Sequence, residues 1–286
     1  MWTVNIIDGK KIAEGVLGAL KEKAPPKKFF AAFCVSPDDA TGKFLEQKKK
    51  TAASLGVDFR LYEFPSVITQ DDLRKEVLVV VSGAACGGAI IQLPLPAHID
   101  AQYVLNAIPR EKDVDVLGER ALGAFYAGRN PILPPAVGTV EEVIRNSKLE
   151  IQNSSAAIVG LGHLVGKPVA HWLEGKCKNL FLLDKGSDFS ILKSADIVVC
   201  GAGDPGIVAP EMLKDKVLVI DFGYGIKNGK PSGDFDSNQL KAKSYKLTYT
   251  PTPNGTGPIL IVKLFSNFYM LAGNEEVKKK RKFYSS

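Results

Sequence analysis

Four short apolar runs in the second half of the chain, SSAAIVG, KNLFLLD, ADIVVCGAG and KVLVIDFG, each stop where small or acidic residues begin. Continuous apolar runs of this length read as strands buried on both faces, and so as a mostly parallel sheet covered by helices. In open sheets of that kind, ligands bind outside the carboxyl ends of the strands. The first such end carries GLGHLVGKP, which follows a predicted strand and opens a predicted helix. Gly160 permits the turn and Gly162 lets the backbone approach a pyrophosphate. The helix starting near Gly166 then turns its N-terminus toward the phosphate charge. The third glycine falls one place later than in the common GxGxxG spacing. Glycines also serve any tight turn, so a purely structural turn is the competing reading. The strand–turn–helix context favours a dinucleotide.

Asp184 closes the next strand, where a carboxylate accepts hydrogen bonds from ribose hydroxyls and repels a 2′-phosphate. NAD is therefore favoured over NADP, although Lys185 beside it offsets part of that repulsion. A solvated loop aspartate is the alternative. Gly201, Ala202 and Gly203 end the third strand without bulk, as a loop facing a cofactor requires, and Asp221 to Gly225 end the fourth.

The first half alternates strands and helices as well. Asp8 is placed to cap a helix whose Ile12, Val16, Leu17 and Leu20 share a face. FFAAFCV is a buried-strand run, a helix follows from about Thr41 to Leu55, and VDFRLYEF is a second strand. GGAIIQLPLP reads as a third strand, stopped by Pro94 and Pro96. The stretch from Glu111 to Gly138 is punctuated by Pro and Gly, as a junction is, and a helix is expected over Val140–Asn146. The apolar stretch PILIVKLFSNFYMLA reads as a closing helix. The chain of 286 residues is long enough for two domains. Their expected limits are 1–120 and 121–275, with the last helix (about 258–275) packing back on the first domain and a basic tail over 276–286.

The net charge of +6 gives a weak case for nucleic acid, because Lys278 to Lys282 supply five of the positive charges and the remainder is +6 − 5 = +1. No RNA-binding signature accompanies the tail. No apolar run approaches the roughly 20 residues of a membrane helix, and MWTVNIIDGKK lacks a basic-then-apolar layout. A cytoplasmic protein with neither nucleic acid nor membrane as partner is expected. Cys34, Cys86, Cys177 and Cys200 are scattered, and with three histidines no metal site is expected.

Three polar features of the first half stand out. Phe44 and Lys48 are one helical turn apart and share a face. Gln92 lies among apolar residues, where an amide needs a specific partner. Asp113 and Asp115 alternate in EKDVDVLG. A lysine, an amide and a carboxylate can together hold and polarise a planar, nitrogen-rich substrate.

With the glycine turn, the strings QLPLPAHID, KDVD, VGKPVA and TPTPNGTGP resemble the methylenetetrahydrofolate dehydrogenase/methenyltetrahydrofolate cyclohydrolase family over nearly the whole chain. The resemblance implies a folate-binding three-layer α/β domain, a Rossmann-like doubly wound dinucleotide-binding domain and a cleft between them. It implies NAD(P)-dependent oxidation of 5,10-methylenetetrahydrofolate and hydrolysis of the methenyl form to 10-formyltetrahydrofolate, in one-carbon metabolism and purine biosynthesis. A homodimer associating through the cofactor domains is implied too. Lys48 then matches the lysine assisting hydrolysis, Gln92 its positioning partner, and Asp115 the carboxylate gripping the pterin. Thr41, Phe44, Pro253, Gly255 and Gly257 are implied substrate contacts. Ser187 and Tyr224 join Gly160, Leu161, Gly162, Gly166, Asp184, Gly201 and Gly203 as implied cofactor contacts.

This chain also departs from the family. Phe44 stands where tyrosine is usual, Thr41 where serine is common, and Val116 where a glycine follows KDVD. Pro134-Pro135-Ala136 replaces proline–cysteine–threonine, and Asn254-Gly255 replaces a glycine pair. Leu161 and Gly162 stand for the arginine and serine that serve the 2′-phosphate, which again favours NAD. A dehydrogenase that has lost hydrolysis, a non-catalytic folate or dinucleotide binder and a two-domain dehydrogenase for another small acid are the alternatives.

Overall fold

A computed structural model describes residues 4–227, 229–241 and 246–273. The basic tail expected over 276–286 lies outside them. In chain order the elements are β1 (Val4–Ile6), α1 (Gly9–Lys21), β2 (Phe29–Val35), α2 (Asp39–Ser54), β3 (Phe59–Phe64), α3 (Gln70–Ser82), β4 (Cys86–Ile91), α4 (Ala101–Leu105) and α5 (Glu119–Tyr126). They continue with α6 (Pro135–Ser147), β5 (Ser155–Val159), α7 (Gly166–Leu173), β6 (Asn179–Leu183), β7 (Ile197–Cys200), β8 (Val217–Asp221), the hairpin β9 (Gly225–Lys227) and β10 (Lys230–Ser232), β11 (Leu247–Tyr249) and α8 (Thr256–Gly273). Contacts divide the chain into two compact units, one of residues 17–135 and 261–273 and the other of 4–16 and 136–260.

The 17–135 unit is built on a parallel three-stranded sheet ordered β3-β2-β4. All seven residues of β2 are buried, and alternation sends them to opposite faces. Phe29, Ala31, Phe33 and Val35 join Leu73, Val77 and Val81 of α3 in one core, with Val104 and Leu105 of α4. Phe30 and Ala32 join Leu20, Ala52, Leu55 and the α8 residues Ile261, Leu264, Phe265 and Phe268 in the other. The result is the expected three layers, helix on sheet on helix. Phe30 is fully buried, stacked on Phe268 at 4.7 Å and edge-on to Phe59 at 5.4 Å. Burying such a ring contributes about 1.5–3 kcal/mol, so the last helix is integral to this core. Helix starts follow capping chemistry: the Asp38 carboxylate accepts from Thr41 N, Thr69 from Asp72 N, and Asp100 from Gln102 N and Tyr103 N.

The 136–260 unit carries a six-stranded sheet, β1-β11-β8-β7-β5-β6, every pair parallel. From β5 the chain winds through α7 to β6 on one side and then returns to β7 on the other. That reversal is the switch point of a doubly wound sheet, and it falls between the ends of β5 and β7.

Several sequence expectations shift. The strand expected through QLPLP ends at Ile91, one residue before Gln92, because Pro94 and Pro96 cannot donate to a ladder. The helix expected over 140–146 runs from Pro135 to Ser147, since proline is tolerated in a first helical turn. The closing helix begins at Thr256. Residues 4–16 group by contacts with the second half of the chain, because β1 pairs with β11.

Candidate functional site

In the 17–135 unit, Lys48 and Gln92 meet. Lys48 is one turn beyond Phe44 on α2, and Gln92 follows β4, its backbone N–H donating to Phe33 O at 2.8 Å. The Lys48 ammonium donates to Gln92 Oε1 at 2.7 Å, while Gln92 Nε2 donates to Leu93 O at 2.8 Å. The amide is thus committed at both ends, with its oxygen toward the cation. Burial lowers the Lys48 pKa, opposed by the negative charge of Asp115 and by Cys34. Burial raises the Asp115 pKa, opposed by Lys48. Desolvation therefore pushes both groups of this coupled pair toward neutrality. Phe44 is half-buried, packed beside the Phe30 and Phe265 core, and Thr41 is buried with its N–H on the Asp38 cap.

The string KDVD is fixed residue by residue. Lys112 Nζ donates to Val81 O and Gly83 O at the end of α3. Asp113, 2% exposed, accepts from Val116 N, Leu117 N and Gly118 N. Burial pushes its pKa up to about 7 against the pull of those N–H groups. Val114 is buried, and its carbonyl accepts from Asn267 Nδ2 of α8 at 3.0 Å. Asp115 is the half-buried member coupled to Lys48. The sequence marks Asp113 and Asp115 as alternating acids and gives a role to Asp115 alone; the anchors Lys112 and Asn267 carry no such mark. The signal for Asn267 was available: an amide in an apolar helical run demands a partner.

In the other unit the glycines sit at the switch point. Gly160 follows β5 with φ +89°, and a Cβ on it would lie 2.5 Å from Ala202 Cα. A Cβ on Gly166 would lie 1.9 Å from Gly160 O, and one on Gly201 2.9 Å from Val165 Cγ1. These three glycines permit the strand ends and helix to close on each other. Gly162 differs, because a Cβ there would have Gly201 O at 4.0 Å as its nearest neighbour. Gly203, at φ +69°, has nothing within 4 Å. The start of α7 has no side-chain cap; Lys167 N donates to Gly162 O and Val169 N to Val165 O, both at 3.0 Å, and the positive end of the helix dipole lies at the glycine turn. A dinucleotide pyrophosphate fits this arrangement.

The neighbouring loops are held from within the unit. Asp234, fully buried, accepts from Ala202 N at 2.7 Å and Gly203 N at 3.1 Å, fixing the loop after β7. Asp221, at the end of β8, accepts from Gly223, Asp234 and Phe235 N–H groups, and burial raises its pKa to about 7. Asp184 is exposed after β6; its N–H donates to Ser187 Oγ at 2.9 Å and its Oδ1 accepts from Lys185 N at 2.9 Å. Tyr224 is 44% exposed. Leu161 is half-buried beside Gly162. Pro253 and Gly257 flank Asn254 (φ +76°) and Gly255 at the entry to α8. A Cβ on Gly9 would lie 1.8 Å from Gly255 O, so the two backbones touch. Among the described residues no acidic, His and Cys group suits a metal, and no helix is long and apolar enough to cross a membrane.

A doubly wound unit with a glycine turn at its switch point, and a three-layer unit with a half-buried lysine–amide–carboxylate cluster, define an α/β enzyme that uses a nicotinamide dinucleotide. The chain belongs to the tetrahydrofolate dehydrogenase/cyclohydrolase family: the family's catalytic domain matches residues 7–115 and its NAD(P)-binding domain residues 134–276. The bifunctional protein FolD of Mycoplasmopsis synoviae is 31% identical over 278 residues, covering 92% of this chain and 98% of the relative. The solved bifunctional FolD of Campylobacter jejuni superposes with a TM-score of 0.87 at 26% identity, covering 95% of this chain and 99% of that one. The Trypanosoma brucei FolD complexed with NADP and an inhibitor gives 0.86 at 27% identity, covering 96% and 98%.

Proposed function

We propose that this protein oxidises 5,10-methylenetetrahydrofolate to the 5,10-methenyl form with NAD(P)+ and then hydrolyses that product to 10-formyltetrahydrofolate. The observation that carries the reading is the Lys48–Gln92 contact beside Asp115, within the segment matched by the family's catalytic domain. NAD(P)+, which Gly160, Gly162 and Gly166 would hold at the glycine turn, would supply the acceptor for the hydride that leaves the methylene carbon with the push of the folate nitrogen. The protein orients the folate and limits water. In the hydrolytic step, water adds to the methenyl carbon, one carbon–nitrogen bond breaks and a proton is released. Lys48, its pKa lowered by burial, takes the proton from that water, and Gln92 keeps the amine aimed. Asp115 accepts from adjacent pterin N–H groups. Phe44 packs on the pterin, with Thr41, Pro253, Gly255 and Gly257 as further substrate contacts.

On the cofactor side, Gly160, Gly166, Gly201 and Gly203 shape the turn, Gly162 admits the pyrophosphate, and Ser187 and Tyr224 line it. NAD is the preferred form: Leu161 and Gly162 offer neither cation nor hydroxyl to a 2′-phosphate, and Asp184 repels one. By the same resemblance, the protein works as a cytoplasmic homodimer joined through its cofactor domains, in one-carbon supply for purine synthesis. A dehydrogenase assay comparing NAD+ with NADP+, repeated on Asp184→Ser, tests the cofactor reading. The variant is expected to gain NADP+ use by about tenfold, roughly 1.4 kcal/mol; a native preference for NADP+ refutes it. Absence of any folate-dependent NAD(P)H formation refutes the function itself.

A further inference from the structure

Asp113 is the buried acid of KDVD that the chemistry above leaves unused. Its two oxygens take three consecutive backbone donors: Val116 N on Oδ1 at 2.8 Å, Leu117 N on Oδ2 at 3.1 Å and Gly118 N on Oδ2 at 2.8 Å. One carboxylate bonding the third, fourth and fifth residues beyond itself requires the chain to curl over it. The curl begins at Val116, which is fully buried and has φ +58°. A β-branched residue in the left-handed region is strained and persists only where its surroundings hold it. Gly118 closes the curl, and a Cβ there would lie 3.2 Å from Asp113 Oδ2.

Asp115 lies between this curl and a second fixed point. On its N-terminal side, Ala89 N donates to Lys112 O at 2.7 Å, and the Val114 carbonyl is held by Asn267. On its C-terminal side, the Val116 N–H is held by the Asp113 carboxylate. The direction in which Asp115 leaves the backbone is thus set by the Val116 turn. The family resemblance places a glycine at this position, and glycine adopts such a turn unaided. Valine does not, so here the turn depends on the carboxylate.

We infer that Asp113 is a positioning residue, whose carboxylate holds Val116 in its left-handed turn and thereby presents Asp115 to Lys48 and to the bound pterin. The inference rests on the proposed role of Asp115 as the group that grips the pterin. The three N–H groups favour the ionised form of Asp113, which burial alone would suppress.

The test is steady-state kinetics of the full chain with 5,10-methylenetetrahydrofolate and NAD(P)+, using Asp113→Asn, the double variant Asp113→Asn/Val116→Gly, and Asp115→Ala. An asparagine keeps one acceptor oxygen and so releases one side of the curl. Asp113→Asn is expected to raise the folate KM by at least about tenfold while the cofactor KM stays within about twofold. The double variant is expected to regain most of the folate KM, because its glycine needs no hold. A folate KM for Asp113→Asn equal to that of the native protein overturns the inference, as does a double variant no better than the single. If Asp113→Asn does not fold by circular dichroism, the double variant decides. Folded with a near-native folate KM, it supports the inference; unfolded, or folded with the KM still raised, it overturns it. A normal folate KM for Asp115→Ala refutes the role given to Asp115 and removes the premise, a result separable from any obtained at Asp113.

Discussion

The Lys48 ammonium donates to Gln92 Oε1 at 2.7 Å, and the opposite end of that amide is tied to the Leu93 carbonyl. Rotating the amide would put its NH2 group against a cation and break both contacts, so Gln92 holds the lysine in one direction. Loss of the amine should therefore remove hydrolysis. Lys48→Met is expected to slow conversion of added methenyltetrahydrofolate by about 100-fold or more, while NAD(P)H formation falls less. Equal losses in both assays would contradict the assignment.

The pH dependence of hydrolysis has a sign. Burial lowers the Lys48 pKa, and the charge of Asp115 opposes that shift. An amine acting as a base gains activity as pH rises through its pKa. Removing the negative charge in Asp115→Asn lowers that pKa further, so the rising limb should move to lower pH. A limb that stays put, measured at saturating folate, would show that Lys48 does not titrate in this step.

Phe44 precedes Lys48 by one turn on α2, at the position where the family usually carries tyrosine. A hydroxyl there could orient the attacking water or the amine. Phe44→Tyr should raise hydrolysis by about tenfold with little change in NAD(P)H formation. No gain would mean that the missing hydroxyl is not what limits this step.

Two glycines of the same turn should behave oppositely. A Cβ on Gly166 meets Gly160 O at 1.9 Å, so Gly166→Ala must shift backbone and should lower stability by about 1–3 kcal/mol or more. Gly162 has open space, its Cβ finding nothing nearer than 4.0 Å. Gly162→Ala should keep its melting temperature and still raise the cofactor KM by about tenfold. Thermal melts with cofactor titrations separate the two; a destabilised Gly162→Ala would remove the claim that its space belongs to the ligand.

Asp113 and Asp221 both have pKa values near 7 in the folded chain, against an ordinary 3.8. A raised carboxyl pKa means that folding takes up protons. The contribution of each group is fully present below about pH 4 and is lost as pH rises through about 7. Between pH 5 and 8 denaturant stability should fall with rising pH, by at most about 1.4 kcal/mol per pH unit for each group. Stability that rises across that window would show that these carboxyls are ionised at no cost.

Much of the fold was legible because each residue type answered a local need. Gly160 adopts φ +89° where the turn was read, and Asp8 accepts from Lys11 N as a cap should. The apolar run of β2 is buried along its whole length. What escaped notice depends on partners remote in sequence. VNI and LTY are too short to show a period; β11 becomes a strand by pairing with β8, and β1 by pairing with β11. Asp113 read as one of two alternating acids; its three N–H partners exist only once Val116 turns left-handed. Asn267 finds Val114 153 positions away, which no local pattern reveals.

The discontinuity of both units has a consequence for synthesis. Domains generally fold as units while the chain emerges, but here the first strand made, β1, needs β11, and the core around Phe30 needs Phe265 and Phe268. A nascent chain that stops short of α8 can pair β1 with β11 but cannot complete the Phe30 core. Vectorial translation therefore leaves two open hydrophobic cores in the growing polypeptide, the six-stranded sheet waiting for β11 and the Phe30 core for the last helix to leave the ribosome.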